Sequence, residues 1–179
     1  MAYYVYWKEE QQNRKWKLIP DTEHDLEQAI KAGAIYTTWA SVSHPYNNDQ
    51  NEPIRKGDLP LDFDDKDNPD NALQDMKTLC LYHLPEFFDV DPYDIQFFCS
   101  GSKGFHAVIP ADLLGAGAGD PYFPLIYKKI AAEWEKKLSL ITIDMSMYCM
   151  GKGKMFRIRN VRRSNGRYKV PLTVDEVTN

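Results

Sequence analysis

IQFFCSGSKGFHAVI, residues 95–109, decides the fold. Residues 95–100 and 105–109 are rich in apolar, β-branched and aromatic side chains and read as strands. The link between them, Gly101-Ser102-Lys103-Gly104, is a turn, so the two strands are antiparallel neighbours. Working outward, LPLDFD at 59–64 alternates apolar with acidic residues and reads as another strand. Residues 3–19 alternate aromatic and polar side chains up to Pro20, which predicts strands arranged as a hairpin. Asp21 or Thr22 caps a short helix through Ala32, stopped by Gly33. AIYTTWASV at 34–42 reads as one strand, and 44–58, with its Asn, Asp, Pro and Gly, as a loop. Residues 68–88 carry Leu73, Met76, Leu79, Cys80 and Leu84 on one helical face. GAGAG at 115–119 is a flexible connection, 124–138 an amphipathic helix, and LITID at 140–144 a strand. The Asn165-Gly166 turn predicts a hairpin of 155–159 with 168–172. There is no repeat and no regular βαβ rhythm, so an α+β fold with a largely antiparallel sheet is expected.

The 179 residues suit one domain, and 43% hydrophobic with 13% aromatic residues argues against intrinsic disorder. No apolar run is long enough to span a membrane, and the first ten residues lack a signal-peptide pattern. Three dispersed cysteines, Cys80, Cys99 and Cys149, argue against a disulfide framework and for a reducing cytoplasm. The net charge of −4 is that of no DNA-coating protein, but the charges are segregated. Asp62, Asp64, Asp65, Asp67 and Asp70 put five acids into nine positions. Lys152, Lys154, Arg157, Arg159, Arg162, Arg163, Arg167 and Lys169 put eight bases into 18 positions with no acid among them. A neutral average can hide a polyanion site built from such a tract.

Four constellations carry chemistry. Asp62 and Asp64 are two apart on a strand, so their carboxylates share a face and can converge on a hard cation such as Mg²⁺ or Mn²⁺. A solvated strand end is the plainer reading of Asp-x-Asp. In the 100–106 turn, Gly101 and Gly104 permit close backbone approach, and Ser100, Ser102, Lys103 and exposed amides can hold a phosphate. This is not a Walker loop, and His106 alone would read as a structural histidine. Asp144 ends its apolar strand; beside Asp62 and Asp64 it would complete a site for two metals. Arg157 and Arg159 on one strand face, with Arg162, Arg163 and Lys169 on or after the turn, suit a triphosphate or a nucleic-acid backbone. A solvated basic hairpin is the alternative. Cys80 and His83 are three apart without a second pair, so no zinc site is expected, and Cys80 belongs in the core.

The order of these elements resembles the archaeo-eukaryotic primase superfamily, which includes the primase–polymerases of plasmids, phages and CRISPR-linked loci. LDFD resembles its first motif, SGSKGFH its second, TID its third, and FRIRN with GRYKVPLT its arginine-bearing hairpin, over about residues 59–173. The resemblance implies a modified RNA-recognition-like antiparallel sheet packed with a second α/β unit. One catalytic domain would then span 1–179, with an N-terminal α/β unit at about 1–58. It also implies that Asp62, Asp64 and Asp144 are catalytic and bind two Mg²⁺ or Mn²⁺ ions. Ser100, Ser102, Lys103, Gly104, His106 and Arg157 would hold the incoming nucleotide's phosphates, with Lys169 reaching the same site. Arg159, Arg162 and Arg163 would contact template or initiating nucleotide. Residues 107–143 contain no Cys or His, so the zinc knob many members carry is not expected.

The implied activity is template-dependent primer synthesis on single-stranded DNA from dNTPs or NTPs. The partners would be a template, a primer strand and a helicase or other C-terminal domain outside this chain, with no membrane. A metal-dependent nuclease or phosphohydrolase would use the same three carboxylates without needing a triphosphate pocket. A non-catalytic nucleic-acid-binding module is the third reading.

Overall fold

The computed structural model describes residues 1–7, 16–47, 51–163 and 165–179. Strands β1 (Ala2–Trp7) and β2 (Trp16–Pro20) form the expected antiparallel pair, with Tyr3 opposite Ile19. The residues joining them lie outside the described residues. The Thr22 hydroxyl caps α1 (Glu23–Lys31) by accepting the Asp25 N–H at 3.1 Å. The run 34–42, expected as one strand, is two: β3 (Ala34–Thr38) and β4 (Ser41–Val42), both paired to β1. At the break the Thr38 hydroxyl accepts the Tyr4 N–H at 3.3 Å and donates to the Ala40 carbonyl at 2.8 Å. A side chain thus takes over from the ladder where the strand bends. The expected loop 44–58 holds a two-residue strand, β5 (Arg55–Lys56), paired to β4.

Strand β6 (Leu59–Asp64) follows, then α2 (Pro69–Lys77), a π-helical turn over Thr78–His83, and α3 (Leu84–Phe88). One continuous helix was expected here. Pro85 has no N–H for the carbonyl four residues back, and the preceding turn widens instead, with the Leu84 N–H reaching Leu79 O. Strands β7 (Gln96–Cys99) and β8 (Gly104–Ile109) are the antiparallel hairpin read from residues 95–109. After α4 (Phe123–Leu138) the 140–144 stretch makes a single bridge, Ile143 to Phe63, rather than a strand. Strands β9 (Met155–Arg157) and β10 (Val170–Leu172) lead to α5 (Val174–Thr178).

The predicted β9–β10 hairpin does not form. Its closing turn does: Asn160 N–H donates to Lys169 O and Arg163 N–H to Arg167 O. The two strands then part. β9 pairs with β3 and β10 with β7, so each completes a different sheet. Among the described residues one sheet has six strands, in the order β5-β4-β1-β3-β9 with β2 also on β1. The other has four, in the order β10-β7-β8-β6. All pairings are antiparallel, and the fold is α+β.

The four-stranded sheet has two different faces. Leu59, Leu61, Phe63, Phe97, Ala107 and Ile109 point one way and pack with Met76, Leu79, Cys80, Leu84, Tyr127 and Ala131 from the helical layer. Leu59, Leu61 and Phe63 are fully buried, which stabilises the fold by about 2 kcal/mol each. The alternate residues, Asp62 opposite His106 and His106 opposite Phe98, point the other way. On that side Phe156 of β9 stacks on His106, ring centroids 4.6 Å apart, and brings the six-stranded sheet onto it.

Candidate active site

The acidic side starts on β6. Asp62 and Asp64 project from the face opposite the buried Leu61 and Phe63, and their side chains are 15% and 22% exposed. The stretch carrying Asp144 runs beside them. Asp64 N–H donates to Thr142 O and Asp144 N–H to Asp62 O, both at 2.8 Å. The backbone at all three acids therefore runs along one edge of the sheet, and Lys103 feels the charge of each. Asp144 also caps its own short turn, its Oδ1 accepting the Ser146 N–H at 2.9 Å. Lys154, from the basic tract, reaches the same spot with Nζ 2.7 Å from Ser146 Oγ.

The basic side is drawn from four segments. Lys103, on the turn, lies with Nζ 2.7 Å from Asp64 Oδ2. That bond, with the fields of Asp62 and Asp144, raises the lysine pKa above its usual value. His106, buried on β8, holds Nε2 3.3 Å from Asp62 Oδ1. Burial lowers the imidazole pKa, against the pull of Asp62. Arg157, at the end of β9, donates through Nη1 to the Ser100 carbonyl. Lys169 is buried between two rings, 3.6 Å from the centroid of Phe156 and 4.1 Å from that of Phe98. Its pKa is pushed down to about 7 by burial, opposed by Asp62 and reinforced by Arg157 and Arg159.

The turn itself is built more tightly than a phosphate cradle requires. Ser100 is buried, and its Oγ accepts the N–H groups of Ser102 and Gly104 at 3.3 Å each. A Cβ on Gly104 would lie 1.9 Å from the Phe63 carbonyl oxygen, so only glycine lets the turn close onto β6. Gly101, at φ +69°, is likewise pressed against the Tyr168 carbonyl. The hydroxyl of Ser100 and both glycines thus fix the turn's shape, while Ser102 and Lys103 are its outward side chains. Arg159 and Arg162 are exposed and Arg163 half-buried on the 158–169 connection, which the structure sets against this turn rather than against the carboxylates.

The fit to a hard cation can be judged from the donors present. His106 Nδ1 is buried at the site without a hydrogen-bond partner, and the buried Asp62 Oδ1 has only its 3.3 Å contact with His106 Nε2, an arrangement that water-free packing alone makes costly. Three carboxylates are the oxygen ligands Mg²⁺ or Mn²⁺ prefer. Among the described residues no group of three His, Cys, Asp or Glu side chains closes round a single point as they stand. Lys103 holds Asp64 and the Ser146 amide holds one oxygen of Asp144. The donor types suit such an ion, while Asp64 and Asp144 are engaged by Lys103 and the Ser146 amide.

Sequence reasoning missed two residues. Asp75 of α2 anchors the 140–144 stretch, and Phe156 joins the sheets over His106. Asp75 stands in no motif, and Phe156 opens FRIRN without a role read for it; an acid within a predicted helix and an aromatic beside Arg157 carry no local signal. Among the described residues no helix is long and apolar enough to cross a membrane. No protein-family model and no curated protein matches the chain.

Proposed function

We propose that this chain is a template-dependent primase–polymerase, joining nucleoside triphosphates on single-stranded DNA. The observation that carries the reading is the pairing of the 140–144 stretch with β6. It sets Asp144 beside Asp62 and Asp64, facing Lys103, His106 and Lys169. The motif order resembling the archaeo-eukaryotic primase superfamily, on an antiparallel α+β fold, supports the same reading.

Asp62, Asp64 and Asp144 would hold two Mg²⁺ or Mn²⁺ ions, which when bound would favour ionisation of the attacking hydroxyl and neutralise the leaving pyrophosphate. The protein's own part is positioning and electrostatics. Lys103 and Arg157 offer positive charge to the triphosphate. Lys169, with its pKa near neutrality, takes up a proton as the anion approaches, because a neighbouring negative charge favours its ammonium form. Burial disfavours the imidazolium form of His106, whose Nε2 lies at the carboxylate edge. Arg159, Arg162 and Arg163 would follow the template backbone, whose recognition is chiefly of phosphate. Mixed anion and cation walls suit a triphosphate substrate better than hydrolysis of a nucleic acid, which needs the carboxylates alone.

The test is primer synthesis on unprimed single-stranded DNA with Mn²⁺ or Mg²⁺ and labelled dNTPs or NTPs, with Asp62→Ala as control. Products from the wild type alone are expected. Extension of a supplied primer without initiation would narrow the activity to polymerisation. Template degradation with no incorporation would replace the reading by a nuclease.

A further inference from the structure

Asp144 does not sit on a ladder of its own. The 140–144 stretch bridges β6 at one residue pair, yet it must hold a carboxylate in register with Asp62. Beyond the two backbone bonds to β6, Asp75 holds it. A single oxygen, Asp75 Oδ2, accepts the Ile141 N–H at 2.8 Å, the Thr142 N–H at 2.9 Å and the Thr142 hydroxyl at 2.8 Å. Three donors converging on one carboxylate oxygen make a strong, charge-assisted anchor, and Thr142 is buried.

The anchor is itself tied to β6. Asp65 follows directly after Asp64, and its Oδ1 accepts the N–H groups of Asp67 and Asn68 at 3.0 Å each. Its Oδ2 accepts Asn71 Nδ2 at 2.9 Å. These bonds, from the Asn68 amide first, hold the Asp65 carboxyl below its usual pKa. They also fix how α2 leaves the strand. The helix then carries Asp75 back to the 140–144 stretch. A closed circuit results, from β6 through the Asp65 turn and α2 to Asp75, to Thr142, and back to β6 through Asp64 N–H and Asp144 N–H.

We infer that Asp75 is a positioning residue: acting through Thr142, it sets the spacing of Asp144 from Asp62 and Asp64 and hence the site's capacity for divalent cations. The inference rests on the cation-binding part of the function proposed above. Outer-shell partners of this kind are worth about 10- to 100-fold in metal affinity or activity.

The test is direct Mn²⁺ binding, by electron paramagnetic resonance, to the full chain without nucleotide or DNA. Variants are Asp75→Asn, Thr142→Val and Thr142→Ser, each checked for folding by thermal melt. Asp75→Asn should weaken Mn²⁺ binding by about tenfold or more. Thr142→Val should weaken it less, since both amide donors remain, and Thr142→Ser should restore it. In the incorporation assay kcat should fall with nucleotide KM little changed. Unaltered Mn²⁺ binding in folded Asp75→Asn would overturn the inference, as would equal loss in Thr142→Val and Thr142→Ser. Wild-type Mn²⁺ binding without any nucleotide incorporation would refute the primase reading while leaving the positioning role standing. If Asp75→Asn fails to fold, the Val and Ser pair decides alone.

Discussion

The two halves of the site are held by different kinds of structure. Asp62 and Asp64 stand on one regular strand that is registered residue by residue to β8, and Asp144 is tied to that strand by backbone hydrogen bonds. The cations come from the 100–104 turn, from β8, from β9 of the other sheet, and from the approach to β10. The acidic half therefore belongs to one sheet, whereas the basic half is completed by Arg157 from the other. Phe156 is where they meet, stacked on His106 and under the Lys169 ammonium. On the proposed function this division predicts that cation binding and anion binding can each be disturbed without the other.

The largest expected effect comes from the acidic half. On the proposed function, Asp144→Ala should reduce nucleotide incorporation to background, because it would remove one of the three carboxylates proposed to hold the ions. Its Mn²⁺ binding should also fall, while the melting temperature should change little, since the side chain's one bond within the protein caps an exposed turn. Wild-type incorporation by this variant would break the assignment of the acidic half. Next comes the joint. Phe156→Ala removes a buried ring and should cost about 3–5 kcal/mol in urea unfolding. In the folded protein it should raise nucleotide KM while Mn²⁺ binding stays near wild type. Equal loss of both functions would show that the halves are not separable.

Much of the acidic half was legible in the sequence because its signals are local. Period-two alternation in 59–64 puts Asp62 and Asp64 on one face, and the Gly-rich link in 95–109 makes β7 and β8 a hairpin. The register that brings Asp64 opposite Gly104 follows from that pair plus the close approach only glycine permits. The joint was not legible. Asn165-Gly166 marks a turn and says nothing of which strand each arm will pair with. Both arms found longer-range partners, Phe156 with Thr37 and Val170 with Cys99. Asp75 was invisible for the same reason, since its partners are 66 and 67 residues away in the chain. Arg55 is a third case. Its guanidinium sits buried inside an apparent loop, where it binds Glu52 and the carbonyls of Pro53, Pro121 and Gly151.

Lys169 gives a pH test of the docked state. Its folded pKa of about 7 lies below the usual lysine value, so between pH 7 and about 10 the unfolded chain holds the extra proton. Stability contributed by this residue should therefore rise with pH across that window and be lowest at and below pH 7. Comparing wild type with Lys169→Met in urea at pH 7 and pH 9.5 isolates the effect. The wild type should gain on the variant, on the order of a few kcal/mol at most. Parallel curves would mean that the ammonium stays hydrated and that the rings of Phe98 and Phe156 do not close over it.

The smallest effect is the most informative about how the halves communicate. Lys103 is bound to Asp64 and feels all three carboxylates, so it stands where an incoming cation would compete with it. The pair is partly exposed, and such pairs are worth up to roughly 1 kcal/mol, about fivefold in an equilibrium constant. Lys103→Met should accordingly tighten Mn²⁺ binding by no more than about fivefold when nucleotide is absent. The same change should weaken nucleotide binding, because the displaced ammonium is one of the charges left to meet a triphosphate. Opposite signs for the two ligands would identify Lys103 as a cation shared by both halves. Weaker Mn²⁺ binding in the variant would instead mean that the lysine orders Asp64 for the ion, and the acidic half would then extend into the turn.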